Sequence, residues 1–213
     1  QVMHPGFFDF NSVKDYQEKI LEGKVILHPE DRKTRVLQEG KKQAEARGFC
    51  LVEDDKLLEE IIGLTEFPSP ILGEIPKELL SLPEEVIITS MREHQKFLSL
   101  RSSANGRVEG FLVVADLQTH DQQKTILSGN TRVLNSRLKD AIFFYQNDLK
   151  LIKRYGMRAW NEKLKSVRFH EKLGSQYDSV ERIAKIAVLL AKKFDLERDE
   201  VWEAATLIKA DLV

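Results

Sequence analysis

Cysteine is nearly missing from this sequence, since Cys50 is the one cysteine among 213 residues. A single cysteine excludes an intramolecular disulfide and a zinc site built on cysteines, and it fits a reducing compartment. Because Cys50 stands in the apolar run FCLV, we expect it to be a small buried residue rather than a catalytic thiolate.

Long apolar runs and an excess of charge of one sign are also missing. No run approaches the ~20 residues of a membrane span, and the N-terminus lacks the basic-then-apolar order of a signal peptide, so we predict a cytoplasmic protein without a membrane partner. Thirty-three basic and 34 acidic residues give a net charge of −1. Any site for a polyanion must therefore be local.

Sequence motifs for catalysis are missing too. Neither GxGxxG nor GxxxxGK[ST] occurs, so the glycine-rich loops that hold nucleotide phosphates are not present. The five histidines never stand four residues apart, HExxH is missing, and so is GxSxG. We therefore predict no catalytic residue and no metal site in this chain.

The first part of the chain alternates helix and strand signals. Helices are expected to start at Ser12, at Pro29 and at Asp54 or Asp55, and Phe49–Val52 has the pattern of a buried strand. The pair Asn105-Gly106 predicts a hairpin with a two-residue type I′ turn, between strands at 95–100 and 110–115. Four of the six prolines lie between residues 66 and 86, which predicts a fixed, irregular connector.

The stretch 129–148 organises the rest of the chain. Gly129 and Asn130 are expected to interrupt the preceding structure, and apolar residues from Val133 to Tyr145 then recur at helical spacing. After Asp148 no strand signal appears, and Asp178 with Glu181 has the spacing of a capping box. We predict an α+β domain at residues 1–148 with a small antiparallel sheet, followed by an all-α part at residues 149–213. The chain begins with Gln1 and stops within a predicted helix, so we expect a fragment of a longer protein.

Three groups of residues are candidates for binding a polyanion. Two arginines lie off the apolar stripe of the 129–148 helix, three cations belong to the basic stretch that follows it, and three residues of MREHQK would line one side of an extended segment. These candidates are Arg132 and Arg137, then Lys153, Arg154 and Arg158, then Arg92, His94 and Lys96. The alternative is that they are solvated helix charges and, for His94, a structural histidine at a helix end.

Several segments of the sequence carry a family resemblance. The segments EFPSPILGEIP, LPEEVIITSMREHQKFL, SGNTRVLNSRLKDAIFFYQND and FHEKLGS, followed by KADL, resemble the beta subunit of the bacterial heterotetrameric glycyl-tRNA synthetase. The resemblance implies an α2β2 enzyme that uses ATP and Mg to join glycine to its tRNA. In that family the alpha subunit holds the adenylation site and the beta subunit contributes tRNA recognition and assembly. No cofactor is therefore expected in this chain itself, and its expected partners are the alpha subunit and glycine tRNA.

The resemblance also has implications for the two parts of the chain. Residues 1–148 would be similar to the editing-type domain of the phenylalanyl-tRNA synthetase beta chain, and residues 149–213 to the start of a degenerate HD-like domain. The segment matching the HD metal motif reads Lys209, Ala210, Asp211 and has no histidine. A residual metal-dependent phosphohydrolase stays an alternative, as does a protein-interaction scaffold without tRNA contact. The sequence does not tell which tRNA nucleotides are contacted, where alpha docks, or the oligomeric state.

Overall fold

The computed structural model describes residues 7–116 and 118–213. Contacts divide the chain into two units, one up to Phe144 and one from Tyr145, so that the division falls inside a long helix. The helices and strands follow in this order: α1 (Val13–Glu22), α2 (Pro29–Ala46), β1 (Phe49–Leu51), α3 (Asp55–Leu64), β2 (Ser69–Glu74), a 3-10 helix (Lys77–Ser81), α4 (Glu84–Thr89), a π-helical turn (Ser90–Gln95), β3 (Leu98–Ser102), β4 (Val108–Ala115), α5 (Lys124–Tyr155), α6 (Arg158–Lys163), a 3-10 turn (Leu164–Ser166), β5 (Arg168–His170), β6 (Gly174–Ser175), α7 (Gln176–Lys193), α8 (Arg198–Leu207) and a 3-10 turn (Ala210–Leu212).

The predicted α+β class of the first part is confirmed. Its sheet has four antiparallel strands in the order β1-β3-β4-β2. The hairpin at Asn105-Gly106 is confirmed, but the two-residue type I′ turn is wrong. A type I′ turn needs a positive φ at both central residues, but of this pair only Gly106 has one, of 72°. The Gly106 N–H donates a hydrogen bond to the Ser102 carbonyl, which closes a longer loop.

The core of the first unit lies between α2, α3 and the sheet. Side chains of both helices and all four strands form one apolar cluster, which includes Val36, Leu58, Leu72, Leu100 and Leu112. The helix starts predicted at Ser12 and Pro29 are confirmed, and Asp54 rather than Asp55 caps α3. Cys50 is exposed, so the prediction of a buried cysteine is wrong; β1 is an edge strand, and its central residue points away from the core.

The proline-rich segment is not a wholly irregular connector, because it contains β2. Pro70 is tolerated there since β2 lies at the edge of the sheet, where a missing N–H leaves no ladder bond unmade. Side chains of α2 hold this segment from the other side. Arg32 Nη1 donates to the Thr65 carbonyl at 2.6 Å, Arg35 Nε to the Pro68 carbonyl at 2.9 Å, and Gln43 Nε2 to the Pro70 carbonyl at 2.9 Å.

The segment before β3 is helical, whereas the sequence predicted a strand from residue 95. The π-helical turn Ser90–Gln95 ends at Lys96, which has a left-handed φ of 56°, and β3 begins only at Leu98. Arg92, His94 and Lys96 therefore do not line one side of an extended segment.

The predicted break at Gly129 is also wrong, because α5 runs through it without interruption. A glycine inside a helix costs about 1 kcal/mol relative to alanine, which a helix of 32 residues tolerates. Asn130 Nδ2 donates to the Ile126 carbonyl of the preceding turn at 2.9 Å, so its side chain supports the helix instead of ending it.

The second unit is mostly helical but contains a small hairpin, so the all-α prediction is wrong in this detail. β5 and β6 are very short and pair antiparallel, and they carry no apolar alternation that a sequence pattern would reveal. The capping box of α7 lies one turn earlier than predicted. Ser175 Oγ accepts from the Asp178 backbone N–H at 3.2 Å, and the Ser175 N–H donates to Asp178 Oδ2 at 2.7 Å.

Candidate nucleic-acid interface

The start of α5 is set by an acidic cap. Thr119 and Thr125 donate hydroxyl hydrogen bonds to Asp121, and the Thr125 backbone N–H donates to Asp121 Oδ2 at 2.9 Å. These bonds favour the ionised form, so they hold the pKa of the Asp121 carboxyl well below its usual range, although the group is exposed.

From this start, one side of α5 forms an open groove in the first unit. Its lining residues recur at steps of three and four, which is the spacing of a single helix side: Lys124, Leu127, Ser128, Thr131, Arg132, Asn135, Ser136 and Lys139. Four of the lining residues carry a hydroxyl or amide group, and three carry a long cationic side chain. We call this set the α5 groove.

The cations of the α5 groove are available to a ligand. Lys124, Arg132 and Lys139 are exposed, and none of them takes part in an ion pair within the described residues. The Asn135 Oδ1 atom in the same groove is buried and has no hydrogen-bond partner in the described part of the chain. A groove with unpaired cations and hydroxyl groups suits phosphate oxygens.

Three of the sequence-predicted cations are engaged in ion pairs. Arg92 Nε lies 2.8 Å from Asp54 Oδ2, and Lys96 Nζ lies 3.0 Å from Glu60 Oε1. Both partners belong to α3 or its cap, so these two cations hold the π-helical turn against α3. Arg158 Nη2 pairs with Glu203 Oε1 at 3.0 Å within the second unit.

The remaining candidates are exposed but do not join the α5 groove. His94 is exposed on the π-helical turn, and Arg137 is exposed on α5 outside the groove lining. Lys153 and Arg154 lie in the last turn of α5, where cations favour the helix dipole, and the Arg154 guanidinium stands 5.0 Å from the centre of the Tyr155 ring. Of the eight candidates, the groove contains only Arg132.

Sequence reasoning did not select Lys124, Asn135 or Lys139. The signal was present, because residues 124, 128, 132, 135 and 139 follow helical spacing. The expected break at Gly129 concealed it, since that break separates Lys124, Leu127 and Ser128 from the other members.

The described residues contain neither a cluster of metal-binding side chains nor a helix that could cross a membrane. No group of three or more histidine, cysteine, aspartate or glutamate side chains is arranged there to hold a metal ion. Asp211 is exposed in the 3-10 turn Ala210–Leu212. Among the described helices, none combines the length and the apolar character that a membrane crossing demands.

Comparison with known proteins identifies the family of this chain. Residues 1–213 match the glycyl-tRNA synthetase beta subunit family. The chain is 46% identical over 208 residues to the glycine–tRNA ligase beta subunit of Dinoroseobacter shibae, covering 98% of this chain and 29% of that protein. It is 44% identical over 210 residues to the beta subunit of Paracoccus denitrificans, covering 99% and 30%. For the beta subunit of Listeria monocytogenes, the identity is 36% over 202 residues, covering 93% and 29%. The chain thus spans less than a third of the length of these relatives, and it belongs to the glycyl-tRNA synthetase beta subunit family.

Proposed function

We propose that this chain is part of a cytoplasmic glycine–tRNA ligase and that its α5 groove binds the phosphate backbone of glycine tRNA. In this proposal the chain positions the tRNA and contributes to an α2β2 assembly. The adenylation site, with its ATP and Mg, belongs to the alpha subunit. Family membership supports the role in aminoacylation, and the unpaired cations of the groove support the contact with tRNA.

The main support for the tRNA contact is that the cations of the α5 groove have no carboxylate partner among the described residues. An exposed arginine or lysine that already has a carboxylate partner must lose that partner, or share it, before it neutralises a phosphate. Lys124, Arg132 and Lys139 have no such competitor in the described residues, whereas Arg92, Lys96 and Arg158 do. Since the net charge of the chain is −1, an RNA contact depends on such a local cluster.

The test compares two triple variants that remove the same number of charges. One replaces Lys124, Arg132 and Lys139 by glutamine, and the matched control replaces Arg92, Lys96 and Arg158 by glutamine. Fluorescence anisotropy of labelled glycine tRNA is measured at several salt concentrations, with an unrelated tRNA beside it. Each lost phosphate contact should reduce the slope of log K against log salt by about 0.7 to 0.9.

We expect the α5 groove variant to weaken binding and flatten the salt slope, and the control to change it far less. Equal effects of the two variants would show that general charge, not the groove, drives binding. An unchanged slope in the groove variant would remove α5 from the interface.

A second candidate function, protein interaction without tRNA contact, is favoured by one observation in the second unit. Ile186, Leu189, Leu190 and Phe194 form an apolar row along α7, and each side chain is 49–73% exposed. An exposed apolar row of this kind favours contact with another protein, and the proposed partner is the alpha subunit. This function predicts that the chain associates with the alpha subunit and that salt does not weaken the association. The Leu189→Glu variant should lose the association, and the Lys192→Glu control should keep it. If the chain does not bind tRNA even at low salt, protein interaction explains its function better than tRNA binding does.

A further inference from the structure

A second pocket lies within the second unit, between α6, α7 and α8. Its volume is about 310 Å³, at the lower end of the range for small-molecule sites, and residues of all three helices line it. The residues that matter for its chemistry are Arg158 and Asn161 of α6, Tyr177 and Val180 of α7, and Trp202 and Thr206 of α8. We call it the three-helix pocket.

Asn161 is the unusual residue of this pocket. Its side chain is only 9% exposed, and its Oδ1 atom is buried without a hydrogen-bond partner in the described part of the chain. A buried acceptor without a donor lowers the stability of the folded chain, and an apolar residue of similar shape would avoid this loss. An amide kept at such a position points to a ligand that supplies the missing donor.

Two aromatic side chains line the pocket, and its charged side chains already have partners of opposite charge. Tyr177 and Trp202 both line it, and Lys165 Nζ stands 4.7 Å from the centre of the Tyr177 ring. The two lining carboxylates have cation partners, Glu162 with Lys165 at 2.6 Å and Glu181 with Lys185 at 3.6 Å. Because Arg158 is paired with Glu203 at the same site, the pocket as a whole favours a neutral, planar ligand with a hydrogen-bond donor.

We infer that the three-helix pocket binds a single unstacked base of an RNA strand. This inference rests on the proposed contact with tRNA, and it adds a base-reading site in the second unit to the phosphate-binding groove of the first. The base stacks on Tyr177 or Trp202, as unpaired bases do on aromatic side chains. Its exocyclic amine donates to Asn161 Oδ1, and the asparagine amide N–H donates to an adjacent ring nitrogen, the pairing that asparagine makes with adenine.

The test uses two labelled single-stranded RNA octamers, one of adenosine and one with unsubstituted purine in place of every adenine. The two differ only in the 6-amino group, which is the donor that Asn161 requires, and both keep a purine ring that can stack. Anisotropy is measured for the wild type, for Asn161→Leu and Trp202→Ala, and for Phe169→Ala. Phe169 is an exposed aromatic residue of the same unit that does not line the pocket, and it serves as the matched control.

We expect the wild type and Phe169→Ala to bind the adenosine octamer about tenfold more tightly than the purine octamer. Asn161→Leu should bind both equally, and Trp202→Ala should weaken both by about tenfold. Asn161→Leu should also leave Tm unchanged or raise it, because it removes a buried group without a partner. A clear fall in Tm would make Asn161 a structural residue and overturn the inference. No discrimination by the wild type, or no binding of either octamer, would overturn it as well.

The two proposals fail separately. If the α5 groove variant leaves the tRNA salt slope unchanged while the wild type still distinguishes the octamers, the proposed phosphate contact of the groove is wrong and the proposed base site in the three-helix pocket is supported. If the α5 groove variant behaves as expected and the wild type does not distinguish the octamers, the proposed base site is wrong and the proposed phosphate contact is supported.

Discussion

At the scale of single residues, Gly73 shows how closely the sheet is packed. Gly73 of β2 pairs across the sheet with Phe111 of β4, and a Cβ atom on Gly73 would lie 2.3 Å from Phe111 Cζ. Phe111 is fully buried and stacks on Phe97 with ring centres 5.2 Å apart. Because the buried Phe111 ring is packed against Phe97, it cannot readily move aside, and it already fills the space that a side chain on Gly73 would need.

We expect Gly73→Ala to destabilise the protein by about 1–3 kcal/mol, the usual cost of overpacking a core. The matched control is Gly63→Ala in α3, where the added Cβ meets nothing within 4 Å and should stabilise the helix by about 0.5–1 kcal/mol. Urea denaturation of the two variants measures both effects. A Gly73→Ala variant as stable as the wild type would contradict the packing argument.

At the scale of elements, the start of α7 depends on the ionisation of one carboxylate. The Ser175 backbone N–H and then its hydroxyl donate to Asp178, and these hydrogen bonds hold the pKa of the Asp178 carboxyl below its ordinary value. A carboxylate whose pKa is lower in the folded state binds fewer protons there than in the unfolded chain. Its contribution is therefore present above the unfolded pKa and is lost as the pH falls through the folded pKa.

We expect Asp178→Asn to lower stability at pH 7, and the difference from the wild type to shrink on acidification below about pH 4. Denaturation at pH 7, 5 and 3 measures the difference. The control is Asp199→Asn in the first turn of α8, where the side chain makes no hydrogen bond to any described residue, so we expect little pH-dependent difference. A difference for Asp178→Asn that is constant with pH would mean that the carboxylate charge does not support the cap.

At the scale of the whole molecule, cationic and anionic residues balance, so binding to polyanions depends on where the charges lie. A net charge of −1 produces no general attraction for nucleic acid. The structure leaves the cations of the α5 groove without carboxylate partners among the described residues while it pairs others, such as Arg92 and Arg158.

We expect weak retention of the wild type on heparin, with elution at low salt, and still weaker retention of the α5 groove variant. The reason is that a small local cluster releases few counterions when it binds a polyanion. Salt-gradient chromatography measures the elution points. Strong retention of both proteins to high salt would show that another basic surface dominates.

The fold was predictable from sequence where the signals are local. Ser12, Pro29 and Asp54 act through hydrogen bonds or backbone angles within one turn, so their helix starts were correctly predicted. The hairpin at Asn105-Gly106 was predicted for the same reason. By contrast, β2 was missed because a proline-rich segment forms a strand only when a neighbouring strand offers it an edge.

The sequence by itself determined the α+β character of the first part, the helical character of most of the second, and the family resemblance. The tertiary structure alone decided which cations are free, because pairing of Arg92 with Asp54 or Arg158 with Glu203 joins residues 38 and 45 positions apart. It also decided that Asn161 Oδ1 is buried without a hydrogen-bond partner among the described residues and that Tyr177 and Trp202 share its pocket. Ion pairs, burial and pocket walls depend on distances across the folded chain, which no local pattern of residues contains.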